Sequence, residues 1–203
     1  MIRGAIIAGG QASRFGGRPK GLELVGGVRI LDRLVAAFEA AFGALPLLIA
    51  NAADAEAWRT DLRVLPDARP GMGSLGGIYT AVLAAPAPVV LAAWDMPFVS
   101  PILLCTLAEG LQDADACLPR SDGPRGVEPL CAAYGPACVA AIAASLEAGD
   151  LRAVGFHDRI KVGILSTTRV QSLGDPAALF FNVNTADDLA EADRLWRRLE
   201  SSR

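Results

Sequence analysis

Histidine is nearly absent from this chain. His157 is the one copy, so a relay of protons through imidazole could run only through it. It stands in a charged stretch, His157-Asp158-Arg159, and reads as a solvated side chain. Cysteine is scarce too: Cys105, Cys117, Cys131 and Cys138 show no close Cys-x-x-Cys pairing. That spacing argues against a cysteine metal cluster or a redox motif and leaves four small apolar side chains in a reducing compartment. Basic tracts are missing and the net charge is −3, which argues against nucleic acid as the main ligand. The uncharged window Pro129–Leu146 is broken by Gly135 and Pro136, so it reads as a buried strand followed by a helix, with no membrane span. The N-terminal apolar stretch is too short for a signal peptide and runs at once into glycines and arginines, so a cytoplasmic protein is expected. Two phosphate-loop signatures are also lacking. Lys20 is followed by Gly21 and Leu22 where a Walker A loop needs Ser or Thr, and no Gly-x-Gly-x-x-Gly follows the first apolar run.

What is present is concentrated at the start. The run Ala5–Ala8 is apolar and leads into Gly9, Gly10, Gly16 and Gly17, with Arg3, Arg14, Arg18 and Lys20 all preceding the first acidic residue, Glu23. Local positive charge on an acidic chain points to an anion site. Glycines let backbone N–H groups approach that anion closely. A polyphosphate is the simplest ligand for such a loop.

The rest of the chain alternates. Strands are expected at Gly4–Ala8, Leu47–Ala50, Arg63–Leu65, Val89–Ala93, Ala116–Leu118, Leu130–Ala133 and Val162–Leu165. Helical spacing covers Arg29–Phe42, a segment from near Leu75, one opened by Ser100-Pro101, Pro136–Leu146 and Asp187–Leu199. This alternation predicts an α/β protein: one domain over residues 1–203, with three layers around a mostly parallel central sheet. Ligands of such sheets bind at the carboxyl ends of the strands, which places Gly9, Gly10, Asn51, Asp67 and Asp95 along one crevice.

The loop Ile7-Ala8-Gly9-Gly10-x-x-Ser13-Arg14-Phe15-Gly16-Gly17-x-Pro19-Lys20-Gly21-Leu22 resembles the signature of the molybdenum cofactor guanylyltransferases, within the Rossmann-like nucleotidyltransferase superfamily. Further matches follow in order: Pro70–Ile78, Asp95-Met96-Pro97-Phe98, Glu128-Pro129-Leu130, and Phe181-Asn182-Val183-Asn184-Thr185 with Asp188-Leu189. The resemblance implies GTP as donor and molybdopterin, delivered by partner proteins, as acceptor. It implies nucleotide contacts from Ile7, Ala8, Gly9, Gly10, Lys20, Asn51, Asp67 and Asp95. Arg14 and Lys20 would hold the triphosphate, Asp95 would also bind Mg2+, and Asn182 and Asn184 would sit near the second substrate. Three positions depart from the family's pattern. Pro19 replaces an acidic residue, Trp94 a small one, and Gly76 an alanine; the last two read as packing changes.

The residues also admit plainer roles. Asp95 could shape the turn before Pro97, Asn51 could cap a turn, and Asp67 could be an acceptor at a loop start. Asp187 and Asp188 suit the first turn of the last helix, and Arg194, Arg197 and Arg198 its end. The arginines could alternatively grip the acceptor's phosphate. Pro19-Lys20 is commoner in sibling transferases, so a cytidylyltransferase for the same acceptor, or a transferase for a related small molecule, stands as the alternative. A nucleotide-binding module without catalysis is the reading from another class.

Overall fold

The computed structural model describes residues 2–9 and 19–201. Its strands are β1 (Arg3–Ala8), β2 (Leu24–Val25), β3 (Val28–Arg29), β4 (Leu47–Ala50), β5 (Val64–Leu65), β6 (Val89–Ala93), β7 (Ala116–Pro119), β8 (Cys131–Tyr134) and β9 (Val162–Leu165). Its α-helices are α1 (Ile30–Phe42), α2 (Ala55–Trp58), α3 (Gly73–Leu83), α4 (Pro101–Glu109), α5 (Cys138–Glu147), α6 (Thr167–Gln171), α7 (Pro176–Leu179) and α8 (Ala186–Ser201).

Seven strands form one sheet in the order β5-β4-β1-β6-β8-β7-β9. All neighbours are parallel except β8, which runs against both β6 and β7. Strands β4, β6, β7 and β8 are buried along their whole length because both faces of the sheet are covered there. Ile6, Leu48, Val90 and Ala92 enter the core beneath α1 and α4. Their sequence neighbours Ala5, Ile7, Leu47, Ile49 and Leu91 enter the core beneath α3 and α5. This period-two alternation yields three layers. Gly4 permits close approach of α1, since a Cβ there would lie 2.6 Å from the Phe38 ring.

Local chemistry fixes the helix ends. Ser100 Oγ accepts from Leu103 N at 3.3 Å, with Pro101 opening α4. At the start of α8, Thr185 Oγ1 accepts from Asp188 N at 3.1 Å while Asp188 Oδ2 accepts from Thr185 N at 2.8 Å. Asp188 therefore serves the first turn, as its position suggests. Arg194 and Arg198 both pair with Glu191 on the same helix.

Two elements differ from expectation. Residues 24–29 form a β2–β3 hairpin, turned by Gly26 at φ +58° and Gly27 at φ +77°. Two-residue strands are too short to show a period. The hairpin meets α8 where Gly26 N donates to Asp193 Oδ1 at 2.7 Å; Arg33 of α1, whose Nε donates to Val25 O at 2.9 Å, stacks 3.7 Å over Trp196. His157 is half-buried rather than fully solvated. It packs edge-on against Phe156, ring centroids 4.8 Å apart, with Nε2 buried and unpartnered among the described residues, and burial lowers its pKa. The apolar flank of Phe156, invisible in a charged tripeptide, draws it in. All four cysteines are free thiols, and burial pushes the Cys117 thiol up to about 11 and the Cys138 thiol up to about 12. Such thiols are unreactive, in line with their reading as packing residues. No helix among the described residues is long and apolar enough to cross a membrane.

Candidate functional site

From β1 the chain crosses to β4 on one side, and later to β6 on the other. This reversal opens a crevice at the strands' carboxyl ends. The resulting cleft encloses about 570 Å³. Ile7, Ala8 and Gly9 line it from β1, Asn51 from β4, Asp67 from β5, and Trp94 and Asp95 from β6. Lys20 and Asn182 reach it from distant parts of the chain. Gly10 and Arg14 lie outside the described residues.

Lys20 is the pivot. It opens a short 3-10 turn and is buried, with 8 % of its surface exposed. Its Nζ donates to Asn184 Oδ1 at 2.7 Å and stands 3.5 Å from Asp95 Oδ2. Backbone bonds set this geometry: Trp94 N donates to Ile7 O at 3.1 Å and Val183 N to Asp95 O at 2.8 Å. The late Asn-Val-Asn-Thr run is thus stitched directly to the end of β6. Asn182 Nδ2 donates to Phe180 O at 2.8 Å, which leaves its carbonyl oxygen free of that bond. Asn184 Oδ1 is committed to Lys20.

Asp95 carries an unspent acceptor. Its Oδ1 is buried and has no hydrogen-bond partner among the described residues. Burial raises its pKa, and Lys20 opposes that rise. A buried carboxylate beside one ammonium is poised to take a further cation or donor.

Asn51 and Asp67 form a second unit. Asn51 Nδ2 donates to Asp67 Oδ2 at 2.7 Å, and Asp67 N donates to Asn51 Oδ1 at 2.8 Å. Asn51 therefore bridges two strand ends rather than capping its own turn. Opposite, α3 begins at a turn with Gly71 at φ +81° and Gly73 at φ +57°, and no side chain caps its N-terminus. No side chain among the described residues takes up its first-turn N–H groups, and Gly73 and Ser74 line the cleft, an arrangement suited to anions. Gly77 allows the closeness, as a Cβ there would sit 2.9 Å from Ile7 Cγ2.

Two further residues bear on the site. Glu128 was visible in the sequence only as part of Glu-Pro-Leu, without a role. Burial raises its pKa, the Leu130 N–H and Arg125 oppose the rise, and Asp95 adds to it, so the two carboxylates sense one another. Trp94 stacks on Trp58 at 5.0 Å and 23°, and its Nε1 is buried without a partner among the described residues. This stack spans β6 and α2 and explains the large residue as packing. His157 is not among the cleft's lining residues.

Residues 4–160 match the family described as MobA-like NTP transferase domain. A probable molybdenum cofactor guanylyltransferase of Pelotomaculum thermopropionicum is 34 % identical over 93 % of this chain and 90 % of its own. A molybdenum cofactor guanylyltransferase of Mesorhizobium japonicum is 34 % identical over 98 % of both chains. Among solved structures, the molybdopterin-guanine dinucleotide biosynthesis protein A of Archaeoglobus fulgidus superposes with a TM-score of 0.81 at 26 % identity, covering 98 % of this chain and 100 % of that one.

Proposed function

We propose a specific reaction for this chain, which belongs to the family of MobA-like NTP transferase domains: it transfers GMP from GTP to molybdenum-bound molybdopterin. The terminal phosphate oxygen of the acceptor forms a bond to the α-phosphorus of GTP. The bond from that phosphorus to the bridging oxygen breaks, and pyrophosphate carries the electron pair away. The products are molybdenum-bound molybdopterin guanine dinucleotide and pyrophosphate.

The observation that carries this reading is the buried contact of Lys20 with Asp95 and Asn184 at the mouth of the β1–β6 crevice. Two polyanions must meet for the transfer, so alignment and charge neutralisation dominate the chemistry. Lys20 is placed to neutralise phosphate oxygens, with Arg14 as its counterpart from the opening loop. Ile7, Ala8 and Gly9 offer backbone groups to the nucleotide, and the Asn51–Asp67 unit fixes its far side. Asn182, which lines the cleft, would meet the acceptor's phosphate.

The reaction requires Mg2+ in this proposal. The unpartnered Oδ1 of Asp95 fits such a cation, which favours oxygen ligands and often takes one or two carboxylates plus phosphate oxygens. Asp95 would hold the ion, and the ion would supply neutralisation of phosphate charge.

The direct test is incubation with magnesium, molybdopterin-loaded acceptor and either GTP or CTP, followed by mass analysis. GTP is expected to give the guanine dinucleotide, and Asp95→Ala to lose it while keeping a folded protein. A cytosine dinucleotide alone would overturn the choice of base. Normal transfer by Asp95→Ala would overturn the metal role.

A further inference from the structure

A second pocket lies along the same edge of the sheet. It encloses about 320 Å³ and is lined by Arg120, Ser121, Asp122, Thr167, Gln171 and Pro176, among others. Register places it. Ala93 N bonds to Leu130 O at the start of β8, and Glu128 N bonds to Pro119 O at the end of β7. The end of β7 is thus two strand positions from the end of β6, about 10 Å at the usual strand spacing. Glu128 stands between the two pockets.

The pocket is walled by backbone. Arg120 N donates to Leu165 O at 3.0 Å, Ser121 N to Gly126 O at 3.2 Å, and Gly126 N to Gly123 O at 2.9 Å. Its polar groups are unspent. Ser121 Oγ is buried with no hydrogen-bond partner, and no carboxylate pairs with Arg120 among the described residues. A buried hydroxyl left unpaired costs free energy unless a ligand takes it up. The lining mixes a guanidinium, hydroxyls, an amide and a carboxylate. Asp122 would repel a phosphate, whereas a flat heterocycle with donors and acceptors around its edge suits both signs.

We infer that this pocket holds the pterin end of the acceptor, with Arg120, Ser121 and Gln171 reading its hydrogen-bonding edge. The inference rests on the acceptor named above, since the phosphate end must then reach Asp95. The span of about two strand spacings matches a phosphate joined to a fused-ring body. Arg120 and Gln171 act in binding and touch none of the reacting atoms.

The probe is neopterin, followed by its own fluorescence on titration with the full chain. Saturable binding is expected, weakened about tenfold by Arg120→Ala and by Gln171→Ala. Both side chains are exposed, so melting temperature and GTP affinity should stay at wild-type values. In turnover, each variant should raise KM for molybdopterin about tenfold with kcat little changed. Absence of saturable neopterin binding, or equal binding by wild type and both variants, would overturn the subsite. Failure of the wild type to make any dinucleotide would instead overturn the proposed reaction, and the neopterin titration would still decide the pocket.

Discussion

Lys20 Nζ stands 3.5 Å from Asp95 Oδ2, and both side chains are largely withdrawn from water, at 10 % and 15 % exposure. Lys20→Met would leave the Asp95 charge buried without its cation. The expected loss is about 3 kcal/mol at neutral pH, roughly 6–12 °C in melting temperature for a chain of this size. Burial raises the Asp95 pKa in the folded state, and removing Lys20 raises it further. Stability lost by the variant should therefore return as pH falls through that raised pKa and the carboxyl takes a proton. Melting curves across the acid range check this; a pH-independent gap would contradict it.

Glu128 is a carboxylate whose burial and proximity to Asp95 oppose its ionisation. Its folded pKa lies above the unfolded one. Its contribution is therefore favourable below the unfolded pKa of about 4.3 and is lost as pH rises through the folded value. Glu128→Gln keeps an acceptor for the Leu130 N–H, which bonds Oε1 at 3.4 Å. The variant should melt a few degrees above wild type near neutrality, roughly 2–4 °C for each kcal/mol recovered. The gap should close on acidification.

Asn51 exchanges two hydrogen bonds with Asp67 at the cleft rim. Asn51→Ala removes both from an exposed site, so stability should fall by only about 1 kcal/mol. The larger effect is expected in steady-state kinetics, as a several-fold rise in KM for the nucleotide. Unchanged KM would mean that Asn51 has no part in orienting Asp67.

Gly21 lies against the indole of Trp94, and a Cβ on it would meet Trp94 Cε3 at 2.4 Å. Gly21→Ala should destabilise by about 1–3 kcal/mol through overpacking. In a Trp94→Leu background, which has its own packing cost, the further loss caused by Gly21→Ala should be much smaller, because the crowding ring is gone. Thermal denaturation of the single and double variants checks the coupling.

The long strands and helices were legible because burial on both faces writes itself as apolar runs and helical spacing. β6, β4 and α1 begin and end close to where their sequence predicts. Asp95, Asn51 and Asp67 could be placed at strand ends for the same reason. The approach of Lys20 to Asn184 could not be read from spacing, because a tertiary bond between opposite ends of the chain leaves no local period. The role of α2 was hidden likewise: four residues show no helical pattern, yet Trp58 is what Trp94 stacks upon. Gly76 carries a tighter constraint than a packing change suggests, since a Cβ would lie 2.9 Å from Met72 Cβ.

A crystal structure of the chain with GTP and Mg2+ tests the central claim most directly. The triphosphate should lie in the β1–β6 crevice, with the ion on Asp95 and Lys20 turned onto phosphate oxygen. A triphosphate bound elsewhere, with Lys20 still on Asn184 and Asp95 bare, would contradict the account.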